Sequence, residues 1–479
     1  MRADVTASLV VFLVALPLCV GVAVASGVPA ELGLVTGIVG GLVTGLLPGS
    51  SLQVSGPAAG LTVLVYEAVQ AYGLPALGAL VLAAGLLQVL MGALRLGRWF
   101  RAISVAVVEG MLAGIGLVLI AGQLYSLADS KAPASGLGKI AGLPALLFDT
   151  ARSTTSLTAF AVGTGTIAVL LVWKRLPAKA QLLPAPLAAV GLATLASALF
   201  ALPVAKVEVK GLLGVVQEPD LGHVARIAEV GTIGTVLAFA LIASAESLFS
   251  AAAVDRLHDG PRTQYDKELM AQGAGNAVCG LIGALPMTAV IVRSAANVQA
   301  GARSKASRVL HGLWLLLFAA LLPATLGVIP LAALAGVLVH AGGKLIPVKR
   351  LAVLWREHRG EALILVVTAV AIVAVNMFEG VLIGLGLAVV KTAWEASHVH
   401  VEVVDAGTGP IQAHLKGSAT FLRLPKILDV LEALPQNRPI ELSLSGLHYA
   451  DHACRTSLKN WAARHSAEGT VPVRVTPAA

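Results

Sequence analysis

Apolar runs recur along this chain from residue 5 to about 396, separated by short polar or charged stretches. A helix crossing a bilayer needs about 20 mostly apolar residues, so the pattern predicts membrane spans rather than one globular core. Fourteen segments stand out, at roughly 5–25, 32–47, 56–70, 75–94, 103–126, 155–173, 183–202, 231–254, 268–284, 288–300, 308–326, 329–345, 361–377 and 380–396. Two are interrupted. Residues 41–60 read GLVTGLLPGSSLQVSGPAAG, and residues 280–297 read GLIGALPMTAVIVRSAAN. Pro and Gly break the helix at both places, and broken backbone inside a membrane survives only where protein or a wet cavity satisfies it. The interrupted segments are the third and the tenth, the third of each group of seven. Seven is odd, so the second group enters from the opposite face. The halves, about 1–202 and 231–397, then form inverted repeats whose broken helices meet. The expected fold is an all-α polytopic membrane protein of 7+7 inverted repeats with two broken half-helices.

The pattern changes near residue 398, which divides a transmembrane domain (1–397) from a small α/β domain (398–479). HVHVEVV and IQAHLK alternate as strands around the turn DAGTGP. LPKILDVLEAL has helical spacing, PIELSLSG reads as a strand, HYADHACRTSLKNWAARH as a helix and VPVRV as a last strand. At the other end, LVVFLVALPLCVGVAVA follows a single Arg and precedes equally apolar segments, so it reads as a first span rather than a signal peptide.

Composition agrees. The chain is 57% hydrophobic and 13% charged, with mean hydropathy +0.85, outside the range of soluble globular proteins. Its net charge of +8 is not gathered into a patch for nucleic acid. Instead, seventeen Lys and Arg follow even-numbered segments, and six (Lys131, Lys139, Arg152, Lys206, Lys210, Arg226) lie on the other side. That bias puts the N-terminus and the C-terminal domain in the cytoplasm of a cell whose plasma (inner) membrane holds the spans. Asp255, Asp259, Asp266, Glu268 and Arg308 are expected on this cytoplasmic face, and Glu67 at the opposite interface. Three scattered cysteines give neither a disulfide framework nor a metal cluster. No P-loop, dinucleotide fingerprint, nucleophile elbow or HExxH is present, so the chain reads as no enzyme and as holding no organic cofactor.

Paired interrupted segments mark the substrate site of a secondary transporter. In the first, a helix can restart at Gly56-Pro57, where the missing N–H of Pro loses nothing. The N–H groups of Ala58, Ala59 and Gly60 then sit at the positive end of a helix dipole, where small side chains let an anion approach. Gln53 and Ser55 can add side-chain donors. In the second, Arg293 is the only charge in its segment, and an intramembrane Arg is expected to face a cavity or a partner. Glu246 is the only acid inside the eighth segment, with Ser250 one turn further on the same face. A buried carboxylate there is a cation site, a proton carrier or a structural partner of Arg293.

These residues carry a resemblance. LQVSGPAAG at 52–60 looks like the third-helix motif of bacterial SulP anion transporters. The run AESLFSAAAVDRL…DKELMAQGAGNAVCGLIGALPMTAVIVRSAANVQAGARSKASRVLHG resembles that family's acidic eighth helix, ELxxQGxxN ninth helix and RSAxNxxAG tenth helix. The similarity covers essentially the whole chain. It implies a fourteen-helix core moving like an elevator, a homodimer and a C-terminal STAS domain. It also implies an anion held near Ser55, Gly56, Pro57 and Ala58 and near Ala289, Val290 and Arg293. Glu246 stands where sodium-coupled bicarbonate members have an Asp, and Ser250 aligns with a hydroxyl residue, which makes the two a candidate sodium site. Glu for Asp leaves sodium and proton coupling both open. His452 stands where antagonist-type STAS domains have a phosphorylatable Ser, which argues for packing and dimerisation over phosphoryl regulation.

The expected function is secondary transport of a small inorganic anion, bicarbonate or sulfate, coupled to sodium or a proton. C4-dicarboxylate/proton symport or chloride conduction is the alternative within the class. An anion-binding membrane regulatory protein acting through STAS is the alternative outside it.

Overall fold

The computed structural model describes residues 2–476 except 103, 134, 178–182, 210, 212–213, 215–229, 408 and 469–472. Lys179, Lys210, Arg226 and the first residues of the expected strand VPVRV lie outside the described residues. Two compact units are present, Met1–Gly384 and Leu385–Ala479, so the division falls inside the last span, before residue 398.

Each expected span corresponds to a helix. They are α1 (Arg2–Ala25), α2 (Ala30–Val39, prolonged by the wide turn Gly40–Thr44), α3 (Thr62–Tyr72), α4 (Leu74–Ala93), α5 (Val105–Leu127), α6 (Thr154–Val172) and α7 (Ala185–Leu199). The second half has α8 (Val230–Val254), α9 (Tyr265–Leu281), α10 (Ile291–Gln299), α11 (Ala306–Leu321), α12 (Leu331–Leu345), α13 (Arg359–Ala374) and α14 (Met377–Ala396). Among the described residues, seven helices are long and apolar enough to cross a bilayer alone. The two at the breaks are not: α3 has 11 residues and α10 has 9. Gly73, at φ 83°, ends α3 and lets α4 begin at once.

Two short strands, β1 (Ser55–Pro57) and β2 (Met287–Ala289), replace the missing halves of α3 and α10. They pair antiparallel, with Ser55 opposite Ala289, Gly56 opposite Thr288 and Pro57 opposite Met287. All six residues are buried. Backbone that cannot complete a helix thus bonds to the equivalent backbone of the other half, and the unit needs no lipid-exposed loop at that depth.

Glycine sets how closely the surrounding helices approach. A methyl group built on Gly78 would lie 2.8 Å from the Gly280 carbonyl, and one on Gly273 would lie 2.7 Å from the Gly85 carbonyl, so α4 and α9 touch backbone to backbone. Such small-residue contacts are how membrane helices gain packing without a hydrophobic drive. Across the same two halves, Gly41 and Gly312 make the symmetry-related contact between the turn that prolongs α2 and α11. A second group forms around α5, which packs along α12 and α13.

The C-terminal unit has four strands, β3 (Val399–Val404), β4 (Ile411–Ala419), β5 (Ile440–Ala450) and β6 (Arg474–Thr476), in the order β3-β4-β5-β6. The first pair is antiparallel and the others parallel. Helices α15 (Leu424–Glu432) and α16 (His452–Glu468) cover a core that includes Ile427, Leu442, Leu458 and Trp461. His448–Ala450, expected to open the last helix, instead end β5. Asp451 decides the boundary, because its Oδ1 accepts from the Cys454 N–H at 2.8 Å and caps α16. Burial pushes the Asp451 carboxyl up, but the Cys454 and Phe421 amides outweigh it and hold it below its ordinary value.

Candidate anion site

Three-residue strands have too few ladder bonds to hold themselves, and buried side chains of the second half do it for them. On α9, Glu268, Gln272 and Asn276 share one face at four-residue spacing. The Asn276 amide acts as an extra peptide unit: Oδ1 accepts from the Met287 N–H at 2.7 Å, and Nδ2 donates to the Met287 carbonyl at 3.1 Å. Gln272 Nε2 donates to Ser55 Oγ and to Glu268 Oε1, both at 2.7 Å. Glu268 Oε2 accepts from the Ser50 N–H at 2.7 Å. From α10, Ser294 Oγ accepts from the Val54 N–H at 2.9 Å, and Asn297 Nδ2 donates to the Leu52 carbonyl at 2.9 Å.

Two expected surface charges belong to this scaffold. Glu268 is completely buried, and Arg308 is 2% exposed rather than on the basic face. Arg308 donates to the carbonyls of Gly45 and Leu47, both at 2.9 Å, and of Gln53 at 3.4 Å. The break after α2 strips these carbonyls of helical partners, and a guanidinium fork can satisfy several at once. Asp255 is buried as well, bonded to Thr263, whereas Asp259 is exposed.

Beside the strands lies a cavity of about 370 Å³, lined by residues of α1, α5, α8, α10 and α12 and by Ala59 and Gly60 in the turn that leads into α3. Pro57, Ala59, Gly60 and Val290–Arg293 line it, with Glu246 and Ser250. Ala58 and Val290 are extended, at ψ 137° and 113°, so both helical turns begin at this wall. Their first amides have no intrahelical acceptor and carry the positive ends of two dipoles.

Arg293 is 1% exposed, and its Nη2 donates to the Pro57 carbonyl at 3.3 Å. Its Nε and Nη1 make no hydrogen bond of good geometry among the described residues, and the buried Cys19 thiol is the neighbour that interacts with the guanidinium. The guanidinium lies directly against Gly56, where any side chain would collide with it. Glu246 occupies the start of α3: a methyl group built on Gly60 would lie 2.6 and 2.7 Å from its two carboxylate oxygens. Its Oε2 and the buried Thr288 Oγ1 make no hydrogen bond of good geometry among the described residues, but the two side chains lie close enough to interact with each other. No ion pair joins Glu246 to Arg293 among the described residues; each charge sits at a different half-helix. Toward the α12–α13 connection the wall carries His340, Lys344 and Glu109, and Glu109 is paired with Arg350 at 2.7 Å.

Of the residues expected around an anion, Pro57, Val290 and Arg293 line this cavity, as do Glu246 and Ser250. Gly56 lies behind them against Arg293. Gln53, Ser55, Ala58 and Ala289 are buried away from the wall. Gln53 Nε2 donates to the Ser247 carbonyl at 2.8 Å, Ser55 accepts from Gln272, and the Ala289 N–H donates to Ser247 Oγ at 3.2 Å. The Gln53 amide nitrogen, the Ser55 hydroxyl and the Ala289 amide are thus engaged in holding the break. Sequence reasoning missed Glu268, Gln272, Asn276, Ser294 and Asn297 as scaffold; the signal was four-residue polar spacing inside apolar segments.

The family model for sulfate permeases matches residues 1–368, which include both breaks and every residue lining the cavity. The chain belongs to the sulfate permease family. Within this family it is 27% identical to the putative sulfate transporter YvdB of Bacillus subtilis, over 95% of this chain and 88% of that one. It is also 27% identical to the bicarbonate transporter BicA of Picosynechococcus sp., over 84% of this chain and 72% of that one. The transmembrane domain of a cyanobacterium bicarbonate transporter BicA superposes with TM-score 0.66 at 24% identity, covering 81% of this chain and 97% of that domain. The murine anion transporter Slc26a9 in its inward-facing state superposes with TM-score 0.81 at 15% identity, covering 99% of this chain and 85% of that one. These superpositions establish the fold of this sulfate permease family member.

Proposed function

We propose that the chain is a secondary active transporter of a small inorganic anion, bicarbonate or sulfate, coupled to sodium or a proton. The observation that carries this reading is the opening of two half-helix N-termini onto one cavity, with a cation at one and a carboxylate at the other. The amides of Ala59, Gly60 and Ile291–Arg293 supply oriented donors, and Arg293 supplies positive potential. Glu246 sets the coupling. Its charge repels an anion at the same helix end unless a cation or proton neutralises it, so the two bindings favour each other by Coulomb attraction. Thr288, which interacts with that carboxylate, and Ser250, which lines the same cavity, offer the hard oxygen donors a sodium ion takes. The cavity between the α3/α10 body and the α5/α12 body suits elevator-like alternating access. The C-terminal unit is read as a STAS domain that supports a homodimer.

Counter-flow uptake of labelled bicarbonate and sulfate into proteoliposomes, under imposed sodium or pH gradients, tests the reading. Glu246→Gln mimics the neutral form, so it should keep anion binding and lose dependence on the driving gradient. If sodium is the partner, Ser250→Ala should raise the sodium requirement; if a proton is, it should not. An unchanged response of Glu246→Gln to both gradients would falsify the coupling role.

A further inference from the structure

A second cavity, of about 390 Å³, lies at the opposite end of α5. Along α5 the first is lined by Val108, Glu109, Met111 and Leu112 and the second by residues from Val118 to Ser126, so their centres are separated by about twelve residues, or about 18 Å of helix. At the start of α3 they come much closer. Gly60 lines the first and Thr62 the second, which leaves Leu61 as the septum between them.

The walls of the second cavity differ from ordinary packing. Its lining includes two lysines, Lys131 and Lys139, with Thr62, Tyr66, Gln70 and Gln123. Lys139 is 5% exposed, and its stem lies along Gly122, where a methyl group would be 3.7 Å from Cε. Its ammonium sits 5.1 Å from the centre of the Tyr66 ring. Glu67 acts on it electrostatically, but no ion pair joins them among the described residues. Burial lowers the Lys139 pKa, and Glu67 only partly opposes this, so a further negative charge nearby would be stabilising. Thr62 is 3% exposed, and its Oγ1 has no partner among the described residues. A ring face satisfies one side of the buried Lys139 ammonium, but it does not explain the orphan hydroxyl at the septum, and the exposed Lys131 adds a second positive charge at the rim.

We infer that this vestibule is a second anion-binding site, which takes a small inorganic oxyanion on the Lys139 and Lys131 ammonium groups and the Thr62 hydroxyl. It rests on the reading of the chain as an anion transporter. An anion held there is one helical turn from the amides of Ala59 and Gly60. The vestibule thus loads or receives the central cavity from the face that carries Lys139, while the Glu109–Arg350 mouth serves the other.

The test measures half-saturation for bicarbonate and sulfate separately from each face, with the full chain in intact cells and in inverted vesicles. Lys139→Gln should raise the half-saturation concentration about three- to tenfold from the Lys139 face only, and Lys131→Gln by less, as expected for removing one partially screened charge. Lys139→Arg should restore most of the loss. Thermal unfolding in detergent checks that each variant is folded; if Lys139→Gln is not, Lys131→Gln and Thr62→Val carry the same sided comparison. Equal shifts from both faces, or none, overturn the vestibule site while leaving the transporter reading intact. A parent chain that moves neither anion removes both.

Discussion

The two half-helix starts share one backbone plan and carry opposite chemistry. Each follows a three-residue strand, each begins from an extended residue, and the strands pair as an antiparallel ladder. At α3 the space beyond Gly60 is filled by the Glu246 carboxylate from α8; at α10 the first turn itself contributes Arg293, which crosses to the Pro57 carbonyl. Inverted repeats therefore fix where oriented amides converge, but not the sign of the charge beside them. Under the proposed function, an anion would meet an added cation at one end and a carboxylate at the other, and that asymmetry would make its binding depend on a second ion.

The comparison is broken most severely at Gly60. Gly60→Leu drives a side chain into both carboxylate oxygens of Glu246 and fills the α3 end, so transport should fall by roughly a hundredfold or more with folding retained. Uptake by a variant shown to be folded measures this; near-parental rates would place the anion elsewhere. Arg293→Gln removes the charge at the other end and should weaken anion affinity about 10- to 100-fold, read as a rise in half-saturation. Affinity that stays at the parental value would leave Arg293 a strand clamp on Pro57 and nothing more.

Milder changes separate scaffold from site. Asn276→Leu strands the Met287 N–H and carbonyl in a buried place and should destabilise the chain by about 2–4 kcal/mol, seen as a lower unfolding temperature in detergent. If the anion restores that temperature in proportion to its concentration, the β1–β2 pair and the site are one folding unit. Gln53→Leu sharpens the contrast at the smallest scale. It loses one bond to Ser247 and should cost about 1 kcal/mol of stability while leaving half-saturation within about twofold. A large loss of anion affinity would instead restore Gln53 as an anion donor.

Much of this was legible in the chain. Apolar runs located the helices α1 to α14, and Gly-Pro interruptions located both breaks, because each is a local property of backbone hydrogen bonding in lipid. A lone acid or base in an apolar segment also marked Glu246 and Arg293, since an intramembrane charge needs a reason. The sequence could not say which polar groups face the cavity. Arg293 meets Pro57 across 236 residues, Gln272 meets Ser55 across 217, and Arg308 meets Gly45 across 263. Glu268 and Arg308 follow polar stretches and look like surface charges, yet folding turns them inward because broken helices leave carbonyls and amides that must be bonded. The positions of the breaks follow from local sequence; which side chains satisfy the broken backbone, and which remain for the anion, follow only from packing the two halves together.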